Sequence, residues 1–353
     1  MRCPAFLLAI AAAFSSGCWH ARYLAQQGAG QLRLMRERRR ITDVLRDPSV
    51  DAETKRRLRL AVEARAFGVN VLGLRGGDAY TRYVDTHGEP VAWNVSAAPK
   101  DQLKPYLVRF PIAGAVPYLG FFREADARTE KARLEAMDLD TELRGVAGYS
   151  TLGITSDPIY SSMLEGGDAR IVEVTLHEML HGTMYLPGHS DWNESIATFV
   201  GVRGAAAFFQ ARGRGDEAAR VVEESRALEL QQERFAKFIE PFVRELEALY
   251  ASPRSRAEKL ELREKIFERI GEAFTKEFPP RPGQKPGRLA RGAINNAVMV
   301  GYAVYHRATP EHRRIWKRLG GDLPALVALV RLYKHAVEEH RDPIKYLSEW
   351  GRN

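Results

Sequence analysis

The sequence has very few cysteines and no apolar run long enough to cross a membrane. Its 353 residues include only Cys3 and Cys18, which excludes the disulfide framework that supports many small secreted domains. The apolar run Ala5–Phe14 is too short to span a bilayer as a mature helix. No repeat recurs at a solenoid period, which argues against a repeat protein. Of all residues in the chain, 45% are hydrophobic and 28% are charged. This is the composition of a globular protein with a sizeable core.

The net charge of +8 raises the question of nucleic acid. Lysine and arginine are spread along the whole chain, and no recognisable nucleic-acid-reading motif accompanies them. Binding to nucleic acid also conflicts with the export signal described next. The charge therefore indicates a solvated basic surface, and we expect no nucleic-acid partner.

The N-terminus has the pattern of an export signal. Arg2 precedes the apolar run, and Ser15-Ser16-Gly17 leads into Cys18. A small residue before cysteine resembles a bacterial lipoprotein signal, although Ser15 stands where such signals usually carry leucine. We expect residues 1–17 to be a signal peptide and Cys18 to be lipidated, so that the protein is lipid-anchored in the cell envelope, on the outer-membrane or periplasmic side. An ordinary secretory peptide and a short anchor remain alternatives.

A basic segment follows the signal. The stretch "LRLMRERRR" (32–40) could add contacts to a membrane, because one acyl chain alone holds a protein weakly. It could equally be a solvated helix face.

The remaining chain predicts one domain, residues 18–353, of α+β class and mainly helical, with a small sheet and surrounding helices. Residues 20–72 have a helical pattern throughout. Residues 78–154 carry aromatic and β-branched stretches with Gly and Pro between them, which predicts the small sheet. Residues 168–350 are again mostly helical, and the proline-rich stretch 278–288 must be a loop.

One stretch, "VTLHEMLHGTMYLPGHSDWNESIATFVG" (174–201), concentrates metal-ligating side chains. His177 and His181 are four residues apart, which places both imidazoles on one face of a helix. That spacing suits two nitrogen ligands of tetrahedral zinc, about 2.0–2.1 Å from the metal. Glu178 would lie beside the open coordination position and could take a proton from water there. The alternative is a pair of histidines on a half-buried helix.

The context favours a helix at this motif. Asp168 can cap it after Gly166-Gly167, and no helix breaker intervenes before Pro187. The histidines can then point away from the apolar residues that pack inward.

The third ligand is harder to assign. Metzincins place a histidine six residues after the second histidine of the pair, but here that residue is Pro187, and His189 is the eighth. Gluzincins take a glutamate from a following helix. Asp191 can cap such a helix with Glu194 in its first turn. We favour Glu194 and keep His189 and Asp191 as alternatives. Glu194 could instead complete a capping box with Asp191.

Small residues support the choice of Glu194. Ala197 and Gly201 fall near the same face of that second helix, so the two helices could pack closely there. Asn193 is expected to support the site or to start the helix.

Six short motifs follow one another along the chain, in the order "WNVSAAP", "FPIAGAVPYLGFF", "GYSTLGITSDPIYSSML", "HEMLH", "NESIATFVG" and "INNA". In this respect the sequence resembles the bacterial predicted-aminopeptidase family of zinc-dependent lipoproteins, over nearly the whole mature chain. The resemblance implies a gluzincin-like peptidase with a zincin-like metal helix, which binds Zn²⁺ through His177, His181 and Glu194, with Glu178 as the base. Family members commonly read His-Glu-Leu-Ala-His-Gln where this chain reads "HEMLHG", a difference that leaves the ligands intact.

The expected activity is zinc-dependent hydrolysis of peptides, as an aminopeptidase of the envelope. The developing oxyanion needs a donor, and Tyr149 is the first choice, ahead of Tyr160, His189 and Tyr302. The amine of an aminopeptidase substrate needs an acidic group, for which the candidates are Asp157, Glu165 and Glu173. Asn295 and Asn296 are expected to buttress the site or to cap a helix. The alternative function is a non-catalytic, metal-stabilised lipoprotein that binds a partner.

Overall fold

Helices make up most of the protein, which confirms the predicted α+β, mainly helical fold class. The computed structural model describes residues 5–110, 114–146, 156–186, 189–279, 289–305 and 311–332. Its α-helices are α1 (Ala5–Glu37), α2 (Ile41–Arg46), α3 (Ala52–Asn70), α4 (Glu124–Ala136), α5 (Asp168–Thr183), α6 (Ser190–Gln210), α7 (Gly215–Ala251), α8 (Arg256–Glu277), α9 (Asn296–Tyr305), α10 (Glu311–Arg318) and α11 (Leu323–Arg331).

Short strands complete the fold. They are β1 (Arg39–Arg40), β2 (Arg82–Val84), β3 (Ala92–Pro99), β4 (Val108–Phe110), β5 (Gly114–Val116), β6 (Tyr118–Phe121), β7 (Leu139–Val146) and β8 (Ile159–Tyr160). The strands form sheets in the orders β1-β2-β8, β6-β3-β7 and β4-β5. The last part of the predicted sheet region, residues 143–154, overlaps β7 at residues 143–146, and residues 147–154 lie outside the described part of the chain. The proline-rich stretch 280–288 and the end of the chain, 333–353, lie outside the described residues.

The prediction of helix throughout residues 20–72 is wrong around Arg39. There the chain leaves α1 and pairs antiparallel with β2, with Arg39 opposite Tyr83. The backbone N–H of Ile41 then donates to the carbonyl of Thr81, at 3.2 Å. Hydrogen bonds to a distant strand replace the local helical ones, and helical periodicity alone does not reveal such a partner.

The sheet β6-β3-β7 is antiparallel and has α4 on one face. Val95 at its centre pairs with Leu119 on β6 and with Leu143 on β7. Val95 and Leu119 pack with Ala127 and Leu134 of α4 in a small core. One face of the sheet is thus buried, which fixes its register.

The largest core surrounds α5, which lies between α3 and α6. Leu176 and Met179 of α5 are fully buried there. Gly68 of α3 and Gly204 of α6 both face Leu176 so closely that an added Cβ would lie 2.9 Å and 2.7 Å from its side chain. These glycines let all three helices approach one another, and α5 is held from both sides.

A buried polar network ties the C-terminal helices to the sheet. Arg263 of α8 forms a two-pronged ion pair with Asp140 of β7, at 2.7 and 3.2 Å. The backbone N–H of Asn296 also donates to Asp140, at 2.9 Å, and the side chain of Asn296 donates to the carbonyl of Pro99. Asn295 donates to the carbonyl of Thr141. The asparagines of "INNA" therefore fasten α9 to the sheet, because each buried polar group finds a partner.

Candidate metal centre

The N-cap of helix α5 is a glycine and not the predicted Asp168. Gly167 is the N-cap, and Asp168 is the first residue of the helix. The carboxylate of Asp168 accepts hydrogen bonds from Arg56, at 2.8 Å, and from Arg214, at 3.3 Å. These two arginines engage the group that would otherwise cap the helix. A negative charge in the first turn still favours the helix dipole.

The sequence of α5 sorts its side chains by face. Leu176, Met179 and Leu180 are buried in the core. His177 lies half-buried on another face, and His181 is 7% exposed. The hydroxyl of Thr183 donates to the carbonyl of Met179, at 2.7 Å, so this polar group near the end of the helix is satisfied. The apolar face thereby fixes the direction in which both imidazoles point.

Helix α6 brings in the next part of the site. It begins at Ser190 with His189 as its N-cap, so Asp191 is inside the helix and does not cap it as predicted. Residues 187–188 and the side chain of Asp191 lie outside the described part of the chain. Asn193 is 1% exposed, and its amide bonds both the N–H and the carbonyl of Leu186, at 2.9 and 2.8 Å. It thereby links α6 to the chain leaving α5.

Three side chains converge between α5 and α6. The Nε2 atoms of His177 and His181 are 3.1 Å apart. The carboxylate of Glu194 lies 3.5 Å from Nε2 of His177 and 3.4 Å from Nε2 of His181. Ligands 2.0–2.1 Å from a tetrahedral zinc are separated by about 3.3 Å. Two imidazole nitrogens and a carboxylate oxygen at these separations fit such an ion, and the group could hold a metal.

The same contacts shift the pKa values of His181 and Glu194. Burial acts to lower the pKa of His181, but the hydrogen bond and charge of Glu194 outweigh it and raise that pKa. Burial acts to raise the pKa of Glu194, but the two imidazoles hold it far below its usual value. Glu194 is therefore ionised at neutral pH, as a metal-binding carboxylate must be.

Glu178 follows His177 on α5 and is half-buried. Its charge acts on His181 and also on Tyr80. Tyr80 is 3% exposed, and burial, followed by the charges of Glu178 and Asp157, raises its pKa well above the ordinary value. The phenol of Tyr80 is therefore neutral and lies in the electrostatic environment of the expected base.

Tyr80 also has an unusual backbone. Its φ of +61° lies in the left-handed region, which a bulky residue rarely adopts. Such a backbone conformation costs free energy, and residues that adopt it are concentrated at functional sites. Its N–H donates to the carbonyl of Asp157, at 2.7 Å. Sequence reasoning missed Tyr80, because no residue pattern signals a tyrosine held at positive φ.

His312 was also missed. It is 5% exposed, and its Nδ1 lies 3.4 Å from the hydroxyl of Ser195, the residue after Glu194. Its ring centroid is 4.9 Å from that of Phe199. Burial, followed by the charge of Arg313, lowers the pKa of His312 to about 4. Helix α10 thus contributes a neutral imidazole beside the start of α6.

The other sequence candidates are dispersed. Tyr149 lies outside the described residues, and His189 does not belong to the group that could hold a metal. Tyr160 is 1% exposed in β8. The ring of Tyr302 lies 5.0 Å from that of Phe235 in the core of the C-terminal helices.

The candidate acidic groups for a substrate amine also differ in setting. Asp157 is 5% exposed, Glu165 is exposed, and half-buried Glu173 accepts a hydrogen bond from Arg170, at 2.8 Å.

A family model described as "Putative aminopeptidase" matches residues 22–344, most of the chain. No curated protein and no solved structure matches it.

Proposed function

Since the chain belongs to the family described as "Putative aminopeptidase", we propose that it is a zinc-dependent peptidase that acts from the amino end of its substrates. Family membership supports peptide hydrolysis. The observation that carries the metal part of the proposal is the convergence of His177, His181 and Glu194, whose potential ligand atoms all lie within 4.8 Å of one another. Nitrogen and oxygen donors in this number are those of catalytic zinc sites, which keep one position open.

Each residue of the site has a proposed task. His177, His181 and Glu194 hold the ion. Zinc, when bound, supplies a Lewis acid that polarises the substrate carbonyl and lowers the pKa of water toward about 7. Glu178 takes the proton of the attacking water and passes it to the leaving amine. Tyr149 is the proposed donor to the oxyanion that develops on the carbonyl.

Location is part of the proposal. Residues 1–17 are taken as a signal peptide and Cys18 as the lipidated residue that anchors the protein in the cell envelope. Within the described residues, none of the helices combines the length and the apolar character needed to cross a membrane. A lipid on Cys18 would attach the protein without such a helix.

Replacing the base while keeping the metal gives the decisive experiment. Glu178→Gln preserves the size and hydrogen bonding of the side chain, so we expect zinc content to stay unchanged. Peptide hydrolysis should fall by about 10²–10⁴-fold, the usual contribution of general-base catalysis. Glu63→Gln is the control, since it removes the same charge from a 55% exposed side chain of α3 that pairs with Arg212.

Two outcomes would contradict the proposed peptidase activity. One is a wild-type protein that cleaves no peptide at any zinc loading, and the other is a Glu178→Gln variant that cleaves equally well. Either would favour the metal-stabilised lipoprotein that binds a partner. Test peptides with an acetylated amino end distinguish aminopeptidase from endopeptidase activity. An aminopeptidase does not cleave them, whereas an endopeptidase does.

A further inference from the structure

Among the described side chains, one face of helix α1 packs against α4 and the sheet β6-β3-β7. Trp19 donates to the carboxylate of Glu130, at 2.9 Å, and Gln27 donates to the carbonyl of Gly120, at 2.8 Å. Leu34, further along the same face, is 4% exposed. These contacts fix which side of α1 points away from the protein.

The outward side of α1 is apolar. Its large residues are Leu24, Leu32 and Met35, which are 57%, 55% and 42% exposed. The exposed small residues Ala21, Ala25 and Gly28 lie among them. At 3.6 residues per turn, the spacing of these six positions places them in one stripe along the helix. The stripe contains no charged residue, and an apolar stripe of this kind on a soluble surface marks an interaction site.

Arginines border the stripe. Arg22 and Arg36 are exposed at one edge, and Arg40 is exposed just beyond the end of the helix. Arg33, slightly further round, is 51% exposed and lies 3.8 Å from Glu37. Apolar residues bordered by basic ones are the pattern of a helix that lies in the surface of an anionic bilayer.

The charges argue against a second copy of the chain as the occupant. In a two-fold pairing of two antiparallel α1 helices, the edge that carries Arg22 and Arg36 would meet the same edge of the partner. Like charges would then face each other, which is unfavourable. Anionic headgroups would instead neutralise them.

The sequence of the N-terminal part of α1 is also apolar. Helix α1 begins at Ala5, and the sequence of its first turns is the apolar run Ala5–Phe14. The outward stripe starts only a few residues later, at Ala21. If residues 1–17 are removed as the proposed signal peptide, a lipid on Cys18 lies three residues before Ala21. Either the retained apolar run or that lipid would bring the stripe to the same surface.

We propose that this stripe, formed by Ala21, Leu24, Ala25, Gly28, Leu32 and Met35, docks on the surface of an anionic lipid bilayer. Docking would add a second contact to any anchor at the N-terminus and would orient the protein on the membrane. The proposal does not depend on peptidase activity or on a lipid at Cys18.

Fluorescence at single positions tests the docking in the full chain. Cys3→Ala and Cys18→Ala remove both cysteines, and Leu24→Cys then carries an environment-sensitive fluorophore. On vesicles of phosphatidylcholine and phosphatidylglycerol, we expect emission to shift to the blue and to be quenched by lipids spin-labelled near the headgroup. Leu228→Cys is the matched control, because Leu228 of α7 is 53% exposed but has the acidic Glu224 one turn away.

Substitution of the arginines at the edge of the stripe, Arg22 and Arg36, provides a second test of docking. Each basic residue near an anionic leaflet strengthens binding about fivefold, so Arg22→Gln together with Arg36→Gln should lower the ratio of docked to undocked protein by about 25-fold. High salt should act in the same direction.

Three results would overturn the proposal. The Leu24 probe could remain in water on vesicles that carry the protein. It could dock equally on vesicles of phosphatidylcholine alone, which would reject anionic lipid as the partner. It could also shift without vesicles while the unlabelled Leu24→Cys protein forms disulfide-linked dimers, which would identify a second copy as the occupant. Zinc content and hydrolysis measured on the same variants report on the proposed function independently.

Discussion

Gly201 of α6 lies directly against the backbone of Glu173 on α5. A Cβ added at Gly201 would be 2.8 Å from the carbonyl oxygen of Glu173 and 3.2 Å from Cβ of His177. Real Cβ atoms essentially never approach a backbone oxygen this closely, so any larger residue would push the two helices apart. The distance between α5 and α6 also sets how closely Glu194 approaches the two histidines.

Gly201→Ala should therefore weaken zinc binding without changing a ligand. We expect a loss of affinity of about tenfold or more, comparable with the loss of a residue that orients a metal ligand. Titration against a chelator of known affinity measures it. Gly182→Ala is the control, since an added Cβ meets nothing within 4 Å there and alanine favours the helix. Equal zinc affinity in both variants would show that the close contact does not govern the site.

The sequence predicted the arrangement of α5 and α6 because its signals are local. The four-residue spacing of His177 and His181 and the small residue at Gly201 follow from helix periodicity alone. Glu194 was favoured over His189 and Asp191 because gluzincins take a glutamate from a following helix, and its carboxylate does lie near the histidine pair. Whether these three bind zinc remains a prediction.

Other features could not be predicted, because they depend on partners distant in the sequence. Asp168 is bound by Arg56 and Arg214, and neither contact leaves a trace in the helix pattern. His312 meets Ser195 across 117 residues, so its burial follows from packing rather than from spacing.

The ligand set is tested by a pair of alanine substitutions. Glu194→Ala should lose most of the zinc, because one of the three protein donors is removed. His189→Ala should keep it, since His189 is the N-cap of α6 and lies outside the converging group. Metal analysis of the purified proteins gives the answer. A site emptied by His189→Ala and left full by Glu194→Ala would reverse the assignment.

The lipid anchor is tested at Cys18. If the signal is cleaved before Cys18 and the thiol is lipidated, Cys18→Ala should shift protein from the membrane fraction to the soluble fraction. Cys3→Ala should have no effect, because Cys3 would leave with the signal peptide. Mass spectrometry of the wild-type N-terminus gives an independent measurement. A soluble wild-type protein that retains Met1 would contradict the anchor.

His312 predicts a specific dependence of stability on pH. Its pKa is about 4 in the folded protein and about 6.5 in an unfolded chain. The unfolded state therefore binds the proton more readily, so stability is complete above about pH 6.5 and falls as the pH drops toward 4. At pH 5 the loss amounts to about 2 kcal/mol in the free energy of unfolding.

The variant that isolates this effect is His312→Gln, which remains polar and cannot be protonated. Urea denaturation of the zinc-free proteins near pH 7.5 and near pH 5 gives the change in unfolding free energy for each. Subtracting the variant from the wild type removes the contribution of His177, His181 and Glu194, which both proteins share. The wild type should lose about 2 kcal/mol more than the variant between the two pH values. Equal losses would show that the imidazole of His312 is not kept neutral by burial beside Ser195 and Phe199.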